Sequence, residues 1–102
     1  MKNLKIYLDN TDEYNGNLLW KYLLENIKRA NLKGATVYKA VAGVGDHKEI
    51  HTFDILTLSN KLPIIIEIID SSSSIENFIE LSKDALKSTF VTVSDIEVLD
   101  FK

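Results

Sequence analysis

Cysteine is absent from the 102-residue sequence, so neither a disulfide nor a thiolate metal site can hold the fold together. Packing, or a partner subunit, has to supply the stability, because a domain of this size buries only about 60–70% of its unfolded surface. Proline occurs once, at Pro63, and histidine twice, at His47 and His51. The sequence has no G-x-S-x-G elbow, no Walker loop and no H-E-x-x-H pair, so no enzymatic reading has a residue set behind it. No apolar run approaches the roughly 20 residues that span a bilayer. The opening MKNLKIYLDN lacks the apolar core and small-residue cleavage site of a signal peptide. The expectation is a cytoplasmic protein with no direct membrane insertion. Positive charge is in deficit, 12 Lys and Arg against 15 Asp and Glu, with a pI near 5.3. Such a chain has no long-range attraction to phosphate backbones, which argues against nucleic acid as a partner.

Hydrophobic residues make up 45% of the chain and charged residues 26%, the balance of one globular domain over residues 1–102. Leu4, Ile6 and Leu8 alternate with Lys5 and Tyr7, a strand with one face in a core, and Asp9 to Asp12 end it in a turn. From Asn17 to Ala30 the period becomes helical, with Leu19, Trp20, Leu23, Leu24, Ile27 and Ala30 on one face. Asn15 or Asn17 is expected to cap this helix, and Gly34 to close it in the left-handed region. Residues 35–42 and 51–58 read as strands on either side of a polar, double-glycine break at Gly43-Val44-Gly45-Asp46-His47-Lys48-Glu49. Pro63 suits the first position of the Ile-rich strand that runs to Ile69. Ser73 and Glu76 form a capping box ahead of a second helical stripe, Ile75, Phe78, Ile79, Ser82, Ala85 and Leu86. The alternation after Phe90 slips phase near Ser94-Asp95, which predicts a bulge or a turn there. This order specifies an α+β fold of the ferredoxin-like βαββαβ kind, an antiparallel sheet with two helices on one face.

The Ile-rich strand also predicts self-association. Ile64, Ile66 and Ile68 alternate with Ile65, Glu67 and Ile69, and two helices can cover only one of these sets. Leaving the other in water forgoes roughly 1.5–3 kcal/mol per isoleucine, so a sheet-face interface between subunits is the expected resolution. Glu67, inside this run, is expected to pair with a lysine on a neighbouring strand, such as Lys39.

Two constellations could hold a ligand. Gly43 and Gly45 permit positive φ and close backbone approach, and their amides with Lys48 and Lys39 could hold a phosphate. Asp46, His47, Glu49 and His51 lie close enough in sequence to bind a metal if the segment folded around it.

Residues 32–38, LKGATVY, followed by Ala42-Gly43-Val44-Gly45 and by IHTFDILTLSNKLPIIIEIID at 50–70, resemble the PII-like proteins grouped as domain-of-unknown-function family 190. The likeness covers nearly the whole chain. It implies a PII-like homotrimer with sheets facing its centre and a signalling role. An adenine nucleotide would bind in the cleft between subunits, and no other cofactor is implied. Carried over by position, Gly34, Thr36, Gly43 and Gly45 fall on the nucleotide side, and Val44 to Ile50 form a shortened T-loop that contacts a partner, such as a membrane transporter. The glycine-rich loop that wraps ATP phosphates in PII proteins has no counterpart, since Leu86-Lys87-Ser88-Thr89-Phe90 holds no glycine. The last strand also lacks their phosphate-binding arginines. The resemblance therefore implies AMP or ADP rather than ATP, with Lys87, Ser88 and Thr89 as the remaining polar groups. The alternative is a metal-responsive trimer similar to the CutA proteins, with His47 and His51 as ligands.

Overall fold

The structure, a computed structural model, describes residues 1–44, 50–52 and 61–101. Its frame is a four-stranded antiparallel sheet built from β1 (Lys2–Asp9), β4 (Thr36–Lys39), β7 (Pro63–Asp70) and β8 (Phe90–Asp95), in the order β4-β7-β1-β8. β1 lies at the centre, with Ile6 opposite Ile66 on one side and Val91 on the other. Helices α1 (Leu19–Arg29) and α2 (Ser72–Leu86) supply the apolar stripes that cover one face of this sheet. The architecture is the ferredoxin-like one expected.

Period-two alternation places Leu4, Ile6, Leu8, Ile64, Ile66 and Ile68 on the covered face, all buried. They meet Leu19, Leu23 and Ile27 of α1 and Ile75, Phe78, Ala85 and Leu86 of α2. Each fully buried aliphatic contributes roughly 1.5–3 kcal/mol, so these contacts dominate the fold's stability. Asn26 was not expected in this core. It sits at i+3 from Leu23 on the apolar face of α1 and donates from Nδ2 to Ser82 Oγ of α2 at 3.1 Å. Both groups are buried, and pairing them avoids the cost of an unsatisfied polar atom between the helices.

Several local expectations need correction. The segment before α1 is a hairpin, β2 (Glu13–Tyr14) with β3 (Asn17–Leu18). Its turn residues Asn15 and Gly16 have φ of 51° and 82°, as the Asn-Gly turn of a right-twisted hairpin requires. Neither Asn15 nor Asn17 therefore caps α1, whose N-cap is Leu18 with no side-chain bond. The left-handed residue just past that helix is Asn31, φ 58°, and not Gly34. α2 is capped by Ser71, whose Oγ accepts from the Ser74 N–H at 3.2 Å, so Ser73 lies inside the helix. The expected strand over residues 35–42 breaks after Lys39. Ala42–Val44 (β5) instead leaves the main sheet and pairs with Ile50–Thr52 (β6) as a two-stranded ribbon. β8 stops at Asp95, where the phase slip predicted a break.

The alternation of β7 continues one residue past the isoleucines and buries Asp70, 4% exposed. Its carboxylate accepts from the backbone N–H of Lys33 at 3.0 Å and of Ser71 at 2.8 Å. One side chain thus ties the end of β7, the start of α2 and the α1–β4 connection together. The Lys33 bond, ahead of the Ser71 bond, holds the Asp70 carboxyl below the usual aspartate range. Asp70→Ala should cost about 2–4 kcal/mol in urea unfolding at pH 7, because two backbone amides lose a charged acceptor. A depressed carboxyl pKa stabilises the fold above the unfolded value. The gap between Asp70→Ala and the natural chain should accordingly close as pH falls through the lowered folded value.

Candidate functional site

The open face of the sheet carries a cluster of polar contacts centred on Glu67. Register places Asn3, Lys5 and Tyr7 of β1 beside Ile69, Glu67 and Ile65 of β7. Thr36 and Tyr38 of β4 lie opposite Glu67 and Ile65. The Glu67 carboxylate accepts from Asn3 Nδ2 at 3.1 Å and from Tyr38 Oη at 3.0 Å, and Lys5 Nζ stands 4.0 Å away. The Asn3 bond first, then the Tyr38 bond, keep the Glu67 carboxyl below the usual glutamate range, while the bond from Tyr38 raises that tyrosine's hydroxyl. Lys39, the partner expected from the sequence, lies opposite Ile64 instead, on the other face of the pleat. Around this polar centre lie Ile69, 40% exposed, and the Tyr7–Phe90 ring pair at 5.6 Å. Asn3 Oδ1 is buried with no hydrogen-bond partner, an orphan acceptor on a face no helix covers.

The candidate ligand residues divide between the two edges of the sheet. Thr36 and Lys39 lie on β4, one edge, and Gly43 lies just beyond it, against Pro63 at the start of β7. Lys87, Ser88 and Thr89 lie between α2 and β8, the other edge. Three strand spacings, roughly 14 Å, separate the edges. Gly34 lies at the far end of β4, next to the Lys33 amide held by Asp70, and so stands apart from Lys39 and Gly43. Within one chain these described residues lie apart, on opposite edges of the sheet.

The turn after α2 is fixed by its own side chains. Thr89 Oγ1 donates to the Leu86 carbonyl at 2.8 Å and Ser88 Oγ to the Ala85 carbonyl at 3.4 Å, satisfying carbonyls at the helix end. Lys87 Nζ sits 3.3 Å from Asp84. Beside this turn runs a shallow groove of about 260 Å³ with an apolar floor of Ile79, Leu86 and Val91 and a rim of Lys83 and Lys87. Its sequence signal is the i,i+4 spacing of the two lysines over an apolar stripe, which is why Lys83 is a surface neighbour of Lys87. The hairpin braces the other side of α2, with Tyr14 Oη donating to Asp84 Oδ2 at 2.8 Å and its ring against Tyr22 at 4.8 Å.

Gly45, Asp46, His47, Lys48 and Glu49, proposed from sequence as ligand and partner residues, lie outside the described residues. Val44 ends β5 with its side chain 65% exposed. Ile50 and His51 belong to β6 by their backbone. The metal reading, which needs His47 with His51, therefore also lies outside the described residues. Among the described residues no group of three or more His, Asp or Glu side chains is placed to hold a metal ion.

Comparison with known proteins decides the family. The DUF190 family, described as an uncharacterized ACR, matches residues 1–98. The chain belongs to the DUF190 family. A UPF0166 protein of Aquifex aeolicus (strain VF5) is 38% identical over 98 residues, covering 96% of this chain and 92% of the relative. A UPF0166 protein of Methanocaldococcus jannaschii is 36% identical over 98 residues, covering 95% and 90%. Among solved structures, CPII, a nitrogen regulatory PII-like protein from Thiomonas intermedia K12 bound to ADP, AMP and bicarbonate, superposes with a TM-score of 0.67 at 23% identity, covering 95% of this chain and 86% of that one. A protein from Thermus thermophilus described as PII-like gives a TM-score of 0.68 at 20% identity, covering 96% and 88%. At these identities the likeness to the solved structures establishes the PII-like fold of this DUF190 chain.

Gly43 has a packing duty that its ligand reading overlooked. A Cβ built there would lie 2.8 Å from Pro63 Cγ, closer than real contacts allow. The ribbon can leave the sheet at this angle only because position 43 lacks a side chain. Gly43→Ala should displace the β5–β6 ribbon from Pro63 and lower stability by about 1–2 kcal/mol, read as amide shift changes at Ala42, Val44 and Ile64 and as a lower unfolding midpoint.

Proposed function

We propose that this protein is a homotrimeric PII-like regulator that binds AMP or ADP in the clefts between its subunits and contacts a partner through residues 44–50. The observation that carries the reading is the division of the candidate residues between opposite edges of one sheet. A ring of identical subunits brings the β4 edge of one copy, with Lys39 and Gly43, against the β8 edge of the next, with Lys87 and its groove. A head-to-tail interface of this kind closes into a ring with one site per interface. The open face supports the same assembly. Turned toward the centre of a ring, it removes Ile65 and Ile69 from water and gives the Asn3 Oδ1 acceptor a partner.

Support for the ligand class comes from CPII, which is described with ADP and AMP bound, and from the chemistry of this turn. The apolar floor of the groove suits a purine face, and the Lys83 and Lys87 ammonium groups suit one or two phosphates. The hydroxyls of Ser88 and Thr89 already donate to helix carbonyls, and the turn has no glycine amide nest. The polyanionic triphosphate of ATP therefore finds fewer donors per phosphate here than AMP or ADP does. The role assigned to the nucleotide is regulatory and includes no catalytic step. A nucleotide that binds one conformation of the 44–50 segment more tightly than another shifts the equilibrium between them, and with it the affinity for a partner such as a membrane transporter.

Two measurements test this. Isothermal titration should give saturable heat with AMP or ADP and weaker binding with ATP, and Lys87→Ala should weaken the tighter ligand about tenfold, the worth of one charge-assisted hydrogen bond. Absence of heat with all three nucleotides removes the ligand. Sedimentation equilibrium should show trimers that Ile69→Asp converts to monomers. A monomeric natural chain removes the inter-subunit cleft.

A further inference from the structure

Beyond β8 the chain runs on without joining the sheet, yet this segment is apolar. The Ile96 N–H donates to the Met1 carbonyl at 3.1 Å, which continues the line of β8 along the end of β1. After that Val98, Leu99 and Phe101 are 53%, 64% and 90% exposed, and the carboxylates Glu97 and Asp100 are interspersed with them. An extended acidic segment carrying three uncovered apolar side chains has the composition of a strand that pairs elsewhere.

We propose that residues 97–101 of one copy dock along the outer edge of β4 in the neighbouring copy. Three observations converge on that occupant. First, β4 is the opposite edge of the sheet, and all four of its residues, Thr36 to Lys39, are exposed. Its outward backbone groups are a template for strand addition. Second, the directions match. β4 runs antiparallel to β7, β7 to β1 and β1 to β8, so β4 and β8 run in opposite senses. The extension of β8 then passes the beginning of β4 in antiparallel sense when the two edges of different copies meet. Third, the charges are complementary. The last turn of α1 bears Lys28 and Arg29, and Lys33 precedes β4, all three exposed, close to where Glu97 and Asp100 would arrive. The tail cannot reach this edge in its own chain, because two intervening strands, roughly 14 Å, separate β8 from β4.

This inference rests on self-assembly as proposed above, and it assigns the tail as the clasp between neighbouring subunits. The absence of cysteine in the natural sequence makes a clean test. Leu99→Cys chains and Ala35→Cys chains carrying different tags are unfolded, mixed, refolded together and oxidised with diamide. The expected product is a disulfide-linked pair containing one chain of each kind, and a chain carrying both substitutions should give linked species of several chains. Lys28→Glu with Lys33→Glu should lower the yield of the pair about fivefold, as surface ion pairs allow, and Glu97→Lys with Asp100→Lys in the other chain should restore it. No disulfide, or a disulfide confined within single chains, overturns the docking. Sedimentation of the same samples separates the two readings. Trimers without the disulfide leave the ring and remove the clasp, whereas monomers without it remove both.

Discussion

A sheet with helices on one side only is the constraint on which this structure depends. β1 holds β7 and β8 through two antiparallel ladders, and the pleat sends alternate residues to opposite faces. Once Leu4, Ile6, Ile64, Ile66 and Ile68 are committed to the helices, Tyr7, Ile65, Glu67 and Ile69 have to face the other way. A slip of one residue in either ladder would exchange the two sets, so the register of the core also fixes the composition of the open face.

The open face is neither a solvated surface nor an apolar core. Its centre is the Glu67 carboxylate, bonded to Asn3 and Tyr38 with Lys5 nearby, and its margins are isoleucine and paired aromatic rings. A polar cluster whose members satisfy one another can be buried at modest cost, while a lone carboxylate cannot. The face is therefore suited to being covered by copies of itself, with Asn3 Oδ1 as the one acceptor left over among the described residues. The edges complement this arrangement. Lys28, Arg29 and Lys33 lie near the start of β4, and an acidic, apolar extension runs on beyond β8.

The nucleotide site proposed above follows the same logic. The side chains assigned to the nucleotide by resemblance lie on separate edges in the fold, and an assembly is the shortest route to bring them together. The turn after α2 shows how local capping limits what such a site can do. Ser88 and Thr89 hold the end of the helix in place, so the proposed site has to rely on the groove and its two lysines.

The sequence by itself determined the covered face, the two helices, the order of the main-sheet strands and the family. Hydrophobic periodicity is a direct record of which side of each element meets the core, and residues such as Leu4, Phe78 and Ile66 have no other stable place. It also determined that β7 carries too much isoleucine for one layer of helices. The ends of elements were less legible, because several residues compete for each cap. Asn15 serves a hairpin turn, Asn31 closes α1, and Ser71 rather than Ser73 caps α2, and these choices follow from where the chain must go next. Asn26, Asp70 and Glu67 were decided by tertiary structure alone. Each is a polar residue in an apolar pattern, and its role depends on partners as far as 64 residues away along the chain. The division of the ligand residues between opposite edges was equally beyond the sequence, since strand order is set by packing and not by chain order.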